Sequence, residues 1–502
     1  MTAKPLSIKG AGCKFGGGVR KAVELTSGDL SLVSETGLRV ERSILTGRQK
    51  NQLELAFTDR SRSEAPRGSA QGTESPTAKR RAESPAIGEG LMEEVCEREN
   101  CKRALARVKS NKGSAGVDGM SVQQLPAHLK QHWPAIREQL LSGTYEPQPV
   151  KRVEIPKPDG GVRKLGIPTV LDRFIQQAVM QLLQRKWDAT FSDHSYGFRP
   201  GRSAHQAVAQ AQQYIAAGYR WVVDLDLEKF FDRVCHDQLM AKIAERVSDK
   251  RLLKLIRAFL RAGVMENRLV SPVDEGTPQG GPLSPLLSNI VLDEFDRELE
   301  RRGLHFARYA DDSNIYVRSR RAGERVMASV TRFITKKLKL KVNEQKSAVA
   351  QPWERKFLGF SFTWDPVPKR RIAPQAVLRF KARVRELTRR TRGISIERMT
   401  DQLSVYLRGW IGYFGACETP SVLRGLDEWV RRRLRSVLWK QWKRGTVRFA
   451  ELRHRGVAKA LAAKTAGSGH GPWRLANSRG LAIALPNAYF DSLGIPRLTG
   501  GR

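Results

Sequence analysis

Three things are scarce in this sequence of 502 residues: cysteine, acidic side chains and long apolar runs. Its five cysteines form no Cys-x-x-Cys pair, which argues against a disulfide framework or a zinc knuckle and fits a reducing compartment. No apolar run approaches the roughly 20 residues of a membrane-spanning helix, and none resembles a signal peptide. The sequence therefore predicts a cytoplasmic protein that has no membrane partner.

The shortage of acidic residues leaves a large positive charge. Lys and Arg number 89 against 51 Asp and Glu, which gives a formal net charge of +38. So much charge of one sign repels itself unless a polyanion shares the surface, and nucleic acid is the expected partner. Residues 366–502 hold 29 Lys or Arg and 8 Asp or Glu, so more than half of the excess charge, +21, lies in the last quarter of the chain.

Composition divides the chain into an irregular start and a regular remainder. Residues 1–90 are rich in Ser, Pro, Ala, Gly and mixed charge, show no apolar periodicity, and are predicted to be a disordered leader. From Leu91 onward, separate amphipathic helices alternate with short strands around Gly- and Pro-rich turns. This mixture indicates an α+β fold rather than a repeating βαβ sheet.

Two stretches place carboxylates at the ends of predicted strands. The sequence "RYADDSNIYV" puts Asp311 and Asp312 at a turn, and "WVVDLDLEKFFD" puts Asp224 and Asp226 on one face of a buried strand. Acids at a hairpin commonly just face water. Nucleotidyl transfer by two metal ions, however, needs carboxylates from separate chain segments. Asp226, nearer the strand end, is the preferred ligand, and Asp224 is expected to make a structural pair or to face solvent.

These stretches belong to a series of seven motifs that occur in the order found in reverse transcriptases. They read "IPKPDGGVRKLGIPT", "SYGFRPGRSAHQA", "VVDLDLEKFFD", "GTPQGGPLSPLLSNI", "RYADD", "LKLKVNEQKS" and "FLGFSF". With them, the chain from about Met92 to Arg502 resembles a bacterial group II intron-encoded protein, a reverse transcriptase and maturase.

The resemblance implies a right-hand polymerase architecture, with its domains in a fixed order. Residues 151–365 would form the fingers and palm of the reverse transcriptase, preceded by a helical extension of the fingers at 91–150. Residues 366–455 would form an α-helical thumb or maturase domain. Residues 456–502 would be a basic tail and a possible DNA-binding segment.

The resemblance also implies roles for individual residues. The catalytic residues would be Asp226, Asp311 and Asp312, which with the carbonyl of Leu227 would bind two Mg²⁺ ions. The residues implied to bind the dNTP are Lys157, Arg163, Phe231, Gln279, Gly280 and Lys346. The primer grip would be Phe357, Leu358, Gly359 and Phe360.

Plainer interpretations stay open for several of these residues. Lys157 could be a solvated hairpin charge, Lys346 an exposed lysine at a helix end, and Phe231 an ordinary core residue. The glycine loop could be no more than a loop. Phe231 matters because the family places an aromatic ring there that excludes a 2′-hydroxyl, so dNTPs would be preferred over NTPs.

The stretch "LDEWVRRRLRSVLWKQWKR" has apolar residues at helical spacing with arginines between them. It is either a surface helix whose charges are simply solvated or a helix face that contacts RNA or DNA, and its charge density favours the second. The predicted RNA-binding residues are Arg408, Trp429, Arg431, Arg432, Arg435 and Lys440.

The function predicted from this resemblance is an RNA-directed DNA polymerase and maturase of a mobile group II intron. Its partners would be the intron RNA, the target DNA, a primer–template duplex and dNTPs, with the oligomeric state left open. After Cys417 there is no cysteine and only two histidines, too few for an HNH endonuclease, which fits the compact class C lineage. The alternatives are a domesticated or defence-associated reverse transcriptase, and a non-catalytic RNA-binding splicing factor.

Overall fold

The computed structural model describes residues 90–156, 161–266, 269–271, 276 and 280–499. The leader predicted to be disordered, up to residue 89, lies outside the described residues. The described residues fall into a fingers and palm part and a helical C-terminal part, each with its own hydrophobic core.

Three helices open the described chain: α1 (Leu91–Val95), α2 (Arg98–Ser110) and α3 (Leu125–Ser142). The carboxylate of Glu97 accepts two backbone N–H groups at the start of α2, and Gly143, with φ 69°, ends α3. These caps fix where the predicted helices begin and end.

A four-stranded sheet in the order β2-β1-β4-β5 follows. Its strands are β1 (Val150–Pro156), β2 (Val162–Ile167), β4 (Val264–Glu266) and β5 (Leu269–Ser271). β1 and β2 form the predicted antiparallel hairpin, while β4 pairs parallel to β1. The hairpin therefore projects from a sheet whose other half comes from a segment about a hundred residues later.

Six long helices build the palm. They are α4 (Val170–Trp187), α5 (Ala204–Ala216), α6 (His236–Ala244), α7 (Lys250–Arg261), α8 (Ser284–Arg301) and α9 (Arg320–Lys336). α4 and α8 contribute many buried residues to the main core, and α5 begins with a full capping box between Ser203 and Gln206.

The palm sheet has the order β6-β7-β3-β8, and every neighbouring pair is antiparallel. Its strands are β3 (Trp221–Leu225), β6 (His305–Tyr309), β7 (Asp312–Val317) and β8 (Ala348–Ala350). Val223 and Ile315 join the main core, while Val222 and Tyr316 join a second core that includes α5. The sheet is thus buried on both faces, and polar side chains are left at its strand ends.

The C-terminal part starts with a short hairpin, β9 (Phe360–Phe362) and β10 (Arg370–Ile372). The helices after it are α10 (Pro374–Leu387), α11 (Ile396–Phe414), α12 (Pro420–Gln441), α13 (Gly445–His454), α14 (Lys459–Ala466), α15 (Pro472–Leu475), α16 (Arg479–Ala484) and α17 (Asn487–Ser492). A polar contact joins the C-terminal part to α5: Gln212 on α5 donates a hydrogen bond to Glu418 at 2.8 Å.

Candidate active site

The turn between β6 and β7 carries Asp311. Ala310 and Asp311 form its two central residues, and Ala310 adopts a left-handed conformation with φ 57°. The backbone of Gly197 packs so closely on Ala310 that a Cβ on Gly197 would clash with the Ala310 amide. A non-glycine residue is held in this conformation only when its surroundings enforce it, so the turn is a firmly shaped element.

β3 brings the second carboxylate to the same place. Leu225 pairs with Ser313 in the antiparallel register. One step further along this register, Asp226 comes level with Asp312, beside the turn. Carboxylates from two chain segments thus meet at one end of the palm sheet.

The three carboxylates influence one another electrostatically. Loss of hydration, followed by the charge of Asp226, raises the pKa of Asp311 above its ordinary value. Dehydration within the site, and then the charges of Asp311, Asp224 and Asp226, raise the pKa of Asp312 to about 7. Such mutual repulsion is relieved when a cation is bound between the groups.

The residues fit Mg²⁺ as partial rather than complete ligands. In the described part of the chain, no three His, Cys, Asp or Glu side chains are arranged as a ready-made metal site. Mg²⁺ is usually held by one or two carboxylates together with substrate phosphates and water, and Asp226 and Asp311 offer that hard-oxygen set.

A buried arginine fixes the turn from beneath. Arg308 and Asp296 on α8 are both fully buried, and their ion pair measures 2.5 Å. Arg308 also donates to the carbonyl of Ala310 at 2.9 Å, to Ser195 Oγ at 2.8 Å and to Asn289 Oδ1 at 3.1 Å. The guanidinium thereby ties the turn to α8 and to the loop after α4. The sequence analysis did not identify this role of Arg308. Its only sign in the sequence is a charged residue within an apolar strand.

A second arginine supports the other carboxylate segment. Arg355 contacts Asp224 Oδ2 at 2.6 Å and donates to the carbonyl of Lys346 at 2.6 Å. The expectation that Asp224 makes a structural pair is confirmed. Lys346 Nζ lies 3.8 Å from Asp226 Oδ2, and the Asp226 amide donates to Ser347 Oγ at 3.0 Å. The predicted pyrophosphate-side lysine therefore stands directly beside a predicted metal ligand.

The position of Leu227 is fixed on the same side. It is 8% exposed and bridges to Val342. The bridge fixes the backbone of Leu227, whose carbonyl the resemblance implies as a metal ligand.

The predicted nucleotide-binding residues differ in exposure, and two of them lie outside the described part of the chain. Arg163 is exposed on β2, and its charge acts to lower the pKa of Asp311, so the fingers hairpin faces the carboxylates. Phe231 is only partly buried, beside the fully buried Phe230 at a ring separation of 5.2 Å. This leaves part of the Phe231 ring available at the surface. Lys157 and Gln279 lie outside the described residues.

Gly280 has φ 144°, and a Cβ there would clash with the carbonyl of Gly166 near the end of β2. The backbone at Gly280 therefore packs directly on the fingers sheet. This close approach requires glycine at position 280.

The predicted primer grip is a tight turn. Phe357 and Phe360 pair through two backbone hydrogen bonds, and the central residues Leu358 and Gly359 both have positive φ, 52° and 82°. Tyr413 on α11 donates to the carbonyl of Leu358 at 2.8 Å. The turn therefore sits at the junction between the palm and the helical part.

Most of the predicted RNA-binding residues lie at the surface, but Arg431 does not. Arg431 is 1% exposed and forms ion pairs with Asp427 and with Asp491, the latter at 2.7 Å. It is a structural residue that joins α12 to α17, and its assignment to an RNA-contacting face is wrong. The sequence could not reveal this, because Asp491 lies 60 residues away.

The other members of the predicted RNA-binding set are at least partly exposed. Arg408 and Lys440 are exposed, and Arg432 stacks over Trp473 at 4.2 Å. Arg435 is half-buried and donates to the carbonyl of Leu485 and to Asn487. Trp429 is surrounded by the cationic groups of Lys381, Arg385 and Arg433, each within 6 Å of its ring.

Two families match this chain. The reverse transcriptase (RNA-dependent DNA polymerase) family matches residues 155–362, which include the carboxylate site. The group II intron maturase-specific domain matches residues 377–456, from α10 to just beyond α13. No helix among the described residues is long and apolar enough to cross a membrane.

Curated relatives are similar over about 200 residues. "Protein YkfC" of Escherichia coli K12 is 43% identical over 39% of this chain and 53% of its own length. "Group II intron-encoded protein LtrA" of Lactococcus lactis subsp. cremoris is 38% identical over 41% of this chain and 34% of its own. "Putative COX1/OXI3 intron 2 protein" of Saccharomyces cerevisiae is 31% identical over 40% of this chain and 23% of its own.

The match spans about half the length of the first of these relatives and a third or less of the other two. Both matching families occur here in one polypeptide, with the polymerase segment first and the maturase-specific segment second. Residues 155–362 therefore belong to the reverse transcriptase family and residues 377–456 to the group II intron maturase-specific domain family, an arrangement that makes the chain similar to group II intron-encoded proteins.

Proposed function

We propose that this protein is an RNA-directed DNA polymerase that also acts as the maturase of a group II intron. The observation that carries the polymerase activity is the meeting of Asp226 on the β3 side with Asp311 in the β6–β7 turn. Bound Mg²⁺ would activate the primer 3′-hydroxyl and stabilise the charge on the transferred phosphoryl group. The two carboxylates would hold that cation at the strand ends.

The neighbouring side chains support the same chemistry. Arg163 would meet the triphosphate, since a guanidinium fork binds phosphate oxygens in pairs. Lys346, beside Asp226, stands where a proton can be given to departing pyrophosphate. Phe231 presents a partly exposed ring beside the turn that follows Asp226, and it would exclude a ribose 2′-hydroxyl.

The test of polymerisation is dNTP incorporation on a primed RNA template with Mg²⁺. We expect Asp311→Ala to abolish incorporation while RNA binding persists. Asp401→Ala removes an exposed aspartate on α11, outside this site, and should leave incorporation unchanged. A wild-type protein that binds RNA and makes no cDNA would refute the polymerase and leave a splicing cofactor.

The maturase activity is supported by the match at residues 377–456 and by the net charge of +21 in residues 366–502. A folded intron RNA concentrates phosphate charge, which such a surface can neutralise. We expect the protein, and equally its Asp311→Ala variant, to accelerate splicing of its cognate intron RNA at low Mg²⁺. Splicing rates that are the same with and without protein would exclude this activity.

A further inference from the structure

A cavity of about 400 Å³ lies on the C-terminal part, away from the carboxylates. It is formed by the loop between α10 and α11 together with the end of α12 and the segment after it. Six basic side chains line it, and we call it the basic pocket: Arg389, Arg390, Arg392, Lys440, Lys443 and Arg448. Its lining contains no acidic residue.

Within the described ranges, no carboxylate neutralises the charge of the basic pocket. In the part of the chain that the structure describes, none of its six cations forms a salt bridge with a carboxylate. Arg392 donates instead to the carbonyl of Leu387 and to Gln402, both at 2.8 Å. Arg448 lies over the Trp439 ring at 4.7 Å, and its buried Nε has no hydrogen-bond partner. So many unpaired cations in one concavity call for a ligand with several negative charges.

The apolar residues of the lining indicate which chemical class of ligand fits the basic pocket. Ile394, which is half-buried, gives the basic pocket an accessible apolar side chain beside its cations, and Met399 and Val437, each 2% exposed, lie behind it in the core. A ligand that fits both the cations and the apolar side chain has a flat apolar group and more than one phosphate. A nucleotide within a nucleic-acid strand has these properties. At about 400 Å³ the cavity has the size of a small-molecule site, so it cannot admit a duplex. A base can enter only when it is splayed out of a single strand.

We propose that the basic pocket binds one nucleotide of single-stranded RNA, with the base against Ile394 and the flanking phosphates on the basic rim. This inference rests on the proposed function, because it specifies how the maturase part recognises RNA. Arginine suits the rim, since its planar fork meets phosphate oxygens in pairs.

The test compares two pairs of charge reversals. Arg390→Glu with Lys443→Glu alters the basic pocket at two exposed positions, so the fold should tolerate the change. Arg398→Glu with Arg424→Glu is the matched control, with two exposed arginines on α11 and α12 outside the basic pocket. The full chain is titrated by fluorescence anisotropy with a short labelled single-stranded RNA and with a labelled RNA duplex, after equal melting temperatures have been verified.

We expect the basic-pocket pair to weaken single-strand binding at least about tenfold more than the control pair does, and to affect duplex binding no more than the control pair does. Equal losses in the two pairs, or equal losses for strand and duplex, would overturn the proposal in favour of general electrostatic attraction. Competition by ATP at a concentration comparable to that of the RNA would also overturn it, since free nucleotides would then be the ligand.

Primer extension separates this inference from the proposed function. The wild type should make cDNA, and the basic-pocket pair should also make it on a pre-annealed primer–template at saturating concentration. If the basic-pocket pair binds single-stranded RNA normally and the wild type makes cDNA, only the basic-pocket proposal is refuted. Absence of cDNA from the wild type would remove the polymerase regardless of the RNA titration.

Discussion

At the scale of single residues, the β6–β7 turn depends on Arg308, a side chain that does not face the site. Its guanidinium holds the turn carbonyl of Ala310 and neutralises Asp296 in a fully buried location. Removing one partner of a buried ion pair leaves the other charge uncompensated, at a cost of about 3–5 kcal/mol. Arg308 is therefore a positioning residue whose loss should affect both stability and catalysis.

We predict that Arg308→Met lowers the free energy of unfolding by about 3–5 kcal/mol and strongly reduces dNTP incorporation. Arg301→Met is the control, because Arg301 is 71% exposed in its pair with Glu298 and such a solvated ion pair should contribute little to stability. Denaturation curves of both variants give the comparison. Similar midpoints for the two would show that the buried network does not hold the turn.

Asp172 offers a second test at this scale. It is 1% exposed at the start of α4 and accepts hydrogen bonds from Thr169, Tyr145 and the Gln148 amide. Burial outweighs these bonds and raises the pKa of Asp172 from its ordinary 3.8 to about 6. The folded state therefore binds a proton more tightly than the unfolded state does.

Because the folded pKa is the higher one, the contribution of Asp172 to stability falls as pH rises through the interval between 3.8 and about 6. We predict that the stability of the wild type, measured relative to Asp172→Asn, declines by up to about 3 kcal/mol across this interval. Urea midpoints at a series of pH values check this. A difference that rises with pH, or stays constant, would contradict the assignment.

The sequence reveals some of these residues and hides others for physical reasons. Asp226 and Asp311 stand out because charges are rare in apolar strands and because their motifs are local. The role of Arg308 depends on Ser195, 113 residues away, and on Asp296, whose burial only the packed helix shows. Local patterns identify which side chains are unusual, whereas their partners emerge only from tertiary packing.

At the scale of elements, the palm and the helical part meet at the turn of Phe357–Phe360. Gly359 has φ 82°, and a Cβ there would lie 3.2 Å from the Phe414 ring on α11. Leu358 is held at φ 52°, a conformation that costs a branched residue about 1–2 kcal/mol, and its carbonyl accepts the Tyr413 hydroxyl. The turn is thus strained in itself and is stabilised by its contacts with α11.

We predict that Gly359→Ala lowers stability by more than about 1 kcal/mol and shortens the cDNA products, because α11 must shift away from the turn. Leu358→Asn should raise stability, because Asn tolerates a positive φ. The hydrogen bond from the Tyr413 hydroxyl to the backbone carbonyl at position 358 remains in this variant. Product lengths on a long RNA template and melting temperatures test the pair. Equal effects of the two substitutions would show that backbone conformation is unimportant at this junction.

Elements were predictable to different degrees. The long helices and the β1–β2 and β6–β7 hairpins follow from apolar periodicity and turn residues. Helix α5 was not foreseen, because its Ala- and Gln-rich sequence carries a weak apolar stripe after a glycine-rich loop. Strands β4 and β5 were also not foreseen, since three residues are too few to show alternation. Their pairing with β1 comes from tertiary structure.

At the scale of the whole molecule, charge is the dominant property. The net charge of +38 includes +21 from residues 366–502, while the carboxylate site contributes local negative charge. RNA binding should therefore be governed by counterion release and be strongly weakened by salt.

We predict that affinity for a structured RNA falls roughly a thousandfold or more between 50 and 200 mM salt, as for about six or more phosphate contacts. Asp311→Ala should give the same slope, because a carboxylate makes no attractive contact with RNA phosphates. Filter binding at several salt concentrations measures both proteins. An affinity that is insensitive to salt would mean that the basic surface is not the RNA-binding face.

The strand order β6-β7-β3-β8 also limits how early the palm sheet can form during translation. β3 is a central strand, yet both of its neighbours are synthesised later, and the Asp226 amide finds its Ser347 partner only 121 residues downstream. At about 5–20 residues per second, roughly 6–24 seconds pass between the synthesis of β3 and that of β8, its second neighbour. We therefore expect a nascent chain to expose an open edge of β3 until β8 is made and to need chaperones during that time, and no truncated translation product ending before β7 can bring Asp226 level with the β6–β7 turn.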